Sequence, residues 1–201
     1  MNEYSGSISG GSASYEIQLK QLILESEKMM AILRAVRHCN PPDWLVGAGV
    51  IRNLVWDYLH GYGEPTPPRD IDVAFFDATD LRPERDAEVT AELTAVLPTV
   101  EWEATNQAAV HLWYAELFGQ TWPPFTAATE AIATWPETAT CTAVRLLPDD
   151  SLQIVAPFGL DDLFQMVLRR NPARVTQAQF QQRLQDKQIQ QKWPRIRVIE
   201  E

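Results

Sequence analysis

An apolar run, Trp44-Leu45-Val46, stops at Gly47-Ala48-Gly49 and leads at once into a helical pattern. There Val50, Ile51, Leu54, Val55, Tyr58 and Leu59 fall as pairs four apart until His60-Gly61 ends the run. Strand, tight turn and helix in direct succession leave little freedom at the turn. Glycine lets the backbone bend sharply and lets another group approach it closely. The unit also constrains the fold, because a strand needs sheet partners and an amphipathic helix needs a face to cover.

The rest of the chain supplies those partners. Residues 61–68 form an irregular loop with three prolines, and Arg69-Asp70-Ile71-Asp72-Val73-Ala74-Phe75-Phe76 then alternates and runs apolar as a strand. Residues 84–97 predict a crossover helix. Residues 99–105 predict a further strand, with Val100, Trp102 and Ala104 on one face and Glu101, Glu103 and Thr105 on the other. Residues 141–147 and 152–155 flank Pro148-Asp149-Asp150-Ser151 as a β-hairpin. Residues 15–38 carry a single helical stripe, and 106–135 read as helical or irregular. Residues 159–168 read as a short helix from near Asp161, and 177–192 as a Gln/Arg/Lys helix closed by Trp193-Pro194. The expected class is α+β: a mixed β-sheet flanked by helices, with a C-terminal helical tail. Residues 15–201 are expected to form one domain. Residues 1–14, rich in Gly and Ser, are expected to be disordered and lack the basic and apolar regions of a signal peptide.

Charge narrows the partners. The 201 residues carry 17 Lys and Arg against 27 Asp and Glu, a net charge of −10. Duplex nucleic acid needs clustered cations, so a chain this acidic is a poor general binder of it. The charge is divided, however: residues 1–164 are net −15 and residues 165–201 net +5. The basic residues of that tail, Arg169, Arg170, Arg174, Arg183, Lys187, Lys192, Arg195 and Arg197, either line a site for an anion or form a solvated face. No apolar run approaches the ~20 residues that span a bilayer. Cys39 and Cys141 show no metal-ligand spacing and fit a reducing, cytoplasmic setting. His38, His60 and His111 are too scattered to suggest zinc.

The chemistry lies in Asp70-Ile71-Asp72. Alternate strand residues share a face with Cα atoms about 6.6 Å apart, so both carboxylates project to one side. Such a pair repels unless a cation lies between. Hard divalent ions take oxygen ligands and leave positions for substrate phosphates. Two such ions about 3.5–4 Å apart are the geometry of phosphoryl and nucleotidyl transfer. The upstream Gly47-Ala48-Gly49 turn opens a helix whose free N–H groups suit phosphate, and Arg52 can add a charge on a phosphate oxygen. The bland alternative makes Gly47 and Gly49 mere turn residues and pairs Arg52 with Asp57 on the surface.

Read in order, Gly47-Ala48-Gly49-Val50-Ile51-Arg52-Asn53-Leu54-Val55-Trp56-Asp57 and then Asp70-Ile71-Asp72-Val73 resemble a bacterial nucleotidyltransferase family first catalogued as a domain of unknown function. That family belongs to the DNA polymerase β-like nucleotidyltransferase superfamily. Asn106-Gln107-Ala108 with His111, Trp135-Pro136-Glu137-Thr138-Ala139-Thr140, Ala156-Pro157-Phe158-Gly159-Leu160-Asp161-Asp162-Leu163 and Asn171-Pro172 extend the likeness over about residues 44–197. Two features depart from it. Gly49 and Asp70 enclose 20 residues where the superfamily usually has about a dozen, and Ala109-Val110 stand where relatives tend to carry Arg-Met.

The resemblance implies an Mg²⁺-dependent enzyme, with Mn²⁺ as an alternative ion, that moves a nucleoside monophosphate from an NTP to an unidentified acceptor as pyrophosphate leaves. It implies Gly47, Gly49, Arg52 and Asn53 around the nucleotide and Asp70 and Asp72 on the metal. Many superfamily members use a third carboxylate from a later strand. Glu101 and Glu103 both qualify, and Glu103 is preferred because it lies closer to Asn106-Gln107. The expected acceptor is a small molecule rather than nucleic acid. The alternative is a non-catalytic nucleotide-binding or interaction domain of the same fold.

Overall fold

The computed structural model describes residues 12–119, 121–173 and 175–199. Its main sheet has β1 (Leu45–Gly47) at the centre, antiparallel to both neighbours, β2 (Ile71–Phe75) and β4 (Ala143–Leu146). β3 (Trp102–Asn106) pairs in parallel with β2 at one edge, and β5 (Leu152–Val155) pairs antiparallel with β4 at the other. The sheet is mixed, as the sequence predicts.

One face of the sheet carries most of the core. Val46, Ile71, Val73, Phe75, Trp102, Ala104, Val144 and Leu146 pack there against buried residues of α1 (Ser12–Glu25), α2 (Glu27–Cys39), α3 (Gly49–His60) and α4 (Glu84–Val96). The opposite face presents Leu45, Ala74 and Ala143, covered only in part by α5 (Val110–Phe118) and α6 (Ala128–Ile132). This thinner cover leaves room for a site. The C-terminal part adds α7 (Asp161–Phe164), β6 (Val167–Arg169), α8 (Gln177–Lys187), α9 (Ile189–Lys192) and β7 (Arg197–Ile199), with β6 and β7 paired in parallel as a separate ribbon.

Four expectations need correction. Residues 15–38 form two helices rather than one: Ser26, with extended backbone, accepts the Met29 N–H at 3.2 Å and starts α2. The stripe hides this break because its apolar spacing continues through it. The first helix also begins at Ser12, inside the segment expected to be disordered, while residues 1–11 lie outside the described residues. In 159–168 the helix ends after one turn, and Met166 takes a left-handed φ of 55° that redirects the chain into β6. The tail helix is broken by left-handed Gln188, φ 49°, between α8 and α9.

Gly47 is required by crowding. A Cβ there would lie 2.6 Å from the Thr142 carbonyl oxygen, 2.7 Å from Ala143 Cβ and 2.8 Å from Trp135 Cη2. Two of these neighbours are backbone and a short side chain that cannot swing aside. Gly47→Ala should therefore lower unfolding stability by about 2–3 kcal/mol, measured by urea denaturation. A loss within 0.5 kcal/mol, on the order of an ordinary surface change, would show that β1 and β4 can separate freely.

Candidate active site

Strand register brings the acidic residues together. Gly47 lies opposite Asp72 across the β1–β2 pair, and Asp72 lies opposite Glu103 across β2–β3. Cross-strand partners share a face, so the end of the glycine strand, Asp72 and Glu103 stand side by side. Asp70 precedes β2 by one residue. One carboxylate oxygen from each of Asp70, Asp72 and Glu103 lies within 4.8 Å of the others. Glu103 therefore joins the pair, whereas Glu101 stands outside the cluster and contributes its backbone carbonyl to the Ile71 N–H at 2.8 Å.

The cluster is electrostatically strained. Burial, then the neighbouring Asp70 and Glu103 charges, push the Asp72 carboxyl up to about 7. Burial also raises Glu103, helped by the charge of Asp70 and a hydrogen bond with it.

Beside the carboxylates runs a polar groove of about 670 Å³. Gly49, Arg52 and Asn53 line one side, Pro67, Pro68 and Arg69 of the proline loop another, and Arg183, Lys187 and Lys192 of the tail a third. Gly47 is not among the lining residues; it works from behind, by letting β4 and Trp135 close in. Ala48, not a glycine, makes the sharpest bend, with φ 56° and ψ −120°. Its N–H donates to the Thr142 carbonyl at 3.1 Å, and such backbone costs on the order of 1–3 kcal/mol. The first bond of α3 runs from the Arg52 N–H to the Ala48 carbonyl, leaving the N–H groups of Gly49, Val50 and Ile51 ahead of it.

Arg52 is only 7% exposed, and it bonds to Asn53 while Asp57 accepts from Thr66 and Trp193. Its guanidinium donates to Asn53 Oδ1 at 3.2 and 2.8 Å and lies 5.5 and 5.4 Å from the ring centroids of Trp56 and Trp193. Burial pushes it below its usual value, against the pull of Glu137, Asp72 and Asp57. Asn53, expected at the nucleotide, spends its side chain on fixing Arg52 and on donating to the Thr66 carbonyl at 3.1 Å. Asp57 ties three segments together, accepting from the Thr66 N–H at 2.6 Å, the Thr66 hydroxyl at 2.8 Å and the Trp193 indole at 2.7 Å. The extra proline loop is thus fastened over α3 as a wall of the groove.

The tail divides between the two roles left open. Arg183, Lys187 and Lys192 face the groove. Arg169 instead binds Asp162 at 3.0 Å, and Arg195 bonds to the Leu59 carbonyl; Arg174 lies outside the described residues. The strongest tail contact was not legible in sequence: Arg183 Nε donates to Glu137 Oε1 at 2.9 Å, with Glu137 1% exposed. Burial raises the Glu137 carboxyl, but Arg183, Lys187 and Arg52 outweigh it and hold it below its usual value. Trp135-Pro136-Glu137-Thr138 was the available signal, an acid set between a proline and a run of threonines. His111 lines neither groove, and its Nδ1 is buried without a hydrogen-bond partner among the described residues.

A second groove, about 560 Å³, opens on the other side of the same carboxylates. Asp72, Glu103, Trp135, Pro136 and Arg183 border both grooves. The second is walled by Val110, Trp113 and Tyr114 of α5, within the stretch 106–135 that the sequence leaves as helical or irregular.

A family model described as nucleotidyltransferase matches residues 34–198. An NMR structure described as revealing a CCA-adding enzyme head domain superposes with a TM-score of 0.77 at 26% sequence identity, covering 96% of this chain and 97% of that one. The CCA-adding enzyme of Thermotoga maritima, complexed with tRNA, matches with a TM-score of 0.52 at 16% identity, over 90% of this chain and 42% of that one. A CCA-adding enzyme complexed with CTP matches with a TM-score of 0.53 at 16% identity, over 90% and 43%. For the last two the likeness is one of fold, and the chain spans less than half their length. Among curated proteins, none matches the chain at a significant level.

The raised Asp72 carboxyl gives a stability signature with a defined sign. Its folded value of about 7 lies above the ordinary 3.8, so the folded chain holds that proton more tightly than the unfolded chain. The resulting stabilisation is full below about pH 4 and is lost as pH rises through about 7. In chelator, Asp72→Asn should gain stability relative to the parent between pH 5 and 8, by on the order of 2 kcal/mol. A stability difference that stays flat across that range would refute the buried, repelled carboxylate.

Proposed function

We propose, from the premise that the chain belongs to the nucleotidyltransferase family, that it moves a nucleoside monophosphate from an NTP to an acceptor hydroxyl. The observation that carries this reading is the convergence of three carboxylates within 4.8 Å beside a helix N-terminus and a buried guanidinium.

The donor set suits Mg²⁺, or Mn²⁺, which prefer hard oxygen ligands. Asp70 and Asp72 would hold the ion, and the rise of the Asp72 carboxyl marks a negative cluster in need of a cation. When bound, the ion neutralises charge on the phosphate oxygens and favours the attacking oxygen. The free N–H groups at the start of α3 and the Arg52 guanidinium would bind the triphosphate, with Lys187 and Lys192 facing it across the groove. The edge-to-face rings of Trp56 and Trp193 and the side chain of Asn53 fix Arg52, so little ordering remains to be done when the anion arrives.

In the transfer step the acceptor oxygen forms a bond to the α-phosphorus. The bond from that phosphorus to the bridging oxygen breaks, and pyrophosphate leaves with the electron pair. Glu103 takes the acceptor's proton; its raised carboxyl makes it a better base than an ordinary carboxylate. The free thiols of Cys39 and Cys141 agree with a cytoplasmic setting, and no helix among the described residues is long and apolar enough to cross a membrane.

ATP, GTP, CTP and UTP should be titrated with and without Mg²⁺ while thermal stability is followed. At least one should raise the melting temperature in an Mg²⁺-dependent way, and Asp70→Asn or Asp72→Asn should abolish the Mg²⁺-dependent part. Arg52→Ala should weaken NTP binding by about 10–100-fold, the loss of a charge-assisted contact of about 1.5–3 kcal/mol. Binding indifferent to both aspartate changes would overturn the metal assignment.

A further inference from the structure

We propose that the acceptor is an uncharged small molecule carrying its hydroxyl on an aromatic body, seated in the second groove against Trp113, Tyr114 and Trp135. The proposal rests on the nucleotidyl-transfer reading and adds the chemical class of its second substrate.

Geometry assigns the groove. In phosphoryl-type displacement the entering and leaving oxygens lie roughly in line through the phosphorus. The cations and the helix N-terminus stand in the polar groove, so pyrophosphate departs on that side. The acceptor must then approach from the opposite side of the carboxylates. The second groove opens there, and Asp72 and Glu103 border both spaces. The acceptor oxygen bonds to the α-phosphorus, the bond to pyrophosphate breaks with its electron pair, and the hydroxyl proton passes to Glu103.

Chemistry assigns the class. At about 560 Å³ the groove has the size of a small-molecule site. Among the described residues that line it, the sole cation is Arg183, which already holds the buried Glu137. A polynucleotide end would bring a phosphate for every residue, and such contacts need free Lys or Arg. An aromatic body instead gains stacking and edge contacts with the ring walls. Gln107 and Gln182 also line the groove as neutral amides, their Nε2 groups donating to the Thr105 carbonyl at 3.2 Å and to Asp186 at 2.8 Å, so the polar part of the lining adds no positive charge for a phosphate. The overall charge of −10 weighs against a polyanion as well.

The test uses the full chain with Mg²⁺ and the NTP that binds best. Tyrosol, adenosine and a tRNA ending in CC are offered as acceptors; pyrophosphate release and nucleotidylated product are measured by mass. Calorimetry follows the binding of tyrosol and adenosine beside a non-hydrolysable NTP analogue. At least one of the two should bind and be nucleotidylated. Trp113→Ala should weaken that binding about 10-fold while the affinity for NTP changes less than 2-fold, and Trp113→Phe, which keeps a ring in place, should restore most of it. Acceptance of the tRNA with neither small alcohol bound would overturn the aromatic-acceptor proposal and leave nucleotidyl transfer standing. So would a Trp113→Ala loss confined to NTP, which would make the groove the seat of the nucleobase. Absence of any Mg²⁺-dependent NTP binding would instead overturn the transfer reading, and this proposal with it.

Discussion

The site depends on how closely three strands meet at Gly47. Only a residue without Cβ lets the Thr142 carbonyl, Ala143 and Trp135 approach there to within 2.6–2.8 Å of where a side chain would begin. That closeness seats β1 between β2 and β4 and places its last residue opposite Asp72. The chain must leave the strand at once, so Ala48 accepts an unfavourable backbone and the Thr142 carbonyl holds its N–H. The start of α3 is thereby fixed beside the carboxylates. A looser junction would let the helix N-terminus drift relative to Asp72, and the in-line geometry of a transfer step tolerates little drift.

The second organising fact is the separation of charge across one groove. Asp70, Asp72 and Glu103 crowd on the sheet, while Arg52, Arg183 and Lys187 face them. Each side pulls on the other's ionisation: burial and then Arg183 lower Lys187 against the pull of Glu137 and Asp72, and burial and then Asp70 and Glu103 raise Asp72 against the pull of Lys187 and Arg52. Glu137, buried to 1% exposure, keeps the cations from simply collapsing onto the aspartates, because Arg183 is already committed to it. Removing Arg183 alone would leave the Glu137 charge buried and uncompensated, so the pair ties α8 to the segment that carries Glu137. The polar groove thus keeps both signs of charge available to an anion and a cation together.

The parts legible in sequence were those with a short period or a local reason. The strand–turn–helix unit, the alternation at Asp70-Ile71-Asp72 and the hairpin around Pro148 all declare themselves within a dozen residues, and the structure has each of them. Alternation put Glu101 and Glu103 on one face and only the nearness of Asn106-Gln107 favoured Glu103; the register that sets Glu103 opposite Asp72 is visible in the structure alone. What escaped was fixed by partners distant in sequence. Trp193 meets Asp57 across 136 positions, Arg183 meets Glu137 across 46, and β6 finds β7 at the far end of the chain. No periodicity encodes such pairings. The breaks at Ser26 and Gln188 escaped for another reason: neither is a glycine or proline, so a cap and a left-handed residue passed as ordinary helix.

These distant pairings imply that the polar groove is built from two ends of the chain and exists only when both are in place. Arg52 lies in the amino-terminal third, yet one of the two rings it packs against is Trp193. Asp57 makes the same connection by accepting from both Thr66 and Trp193, so the proline loop, α3 and the tail are held by a single carboxylate. The net +5 of residues 165–201 is therefore more than a counterweight to an acidic body. An acidic surface repels anions at long range, and a few cations concentrated at one cleft reverse that field locally. The opposite groove has no comparable supply of free cations among its described residues. One surface thus attracts a polyanion while its neighbour does not, and the carboxylates lie on the line between them.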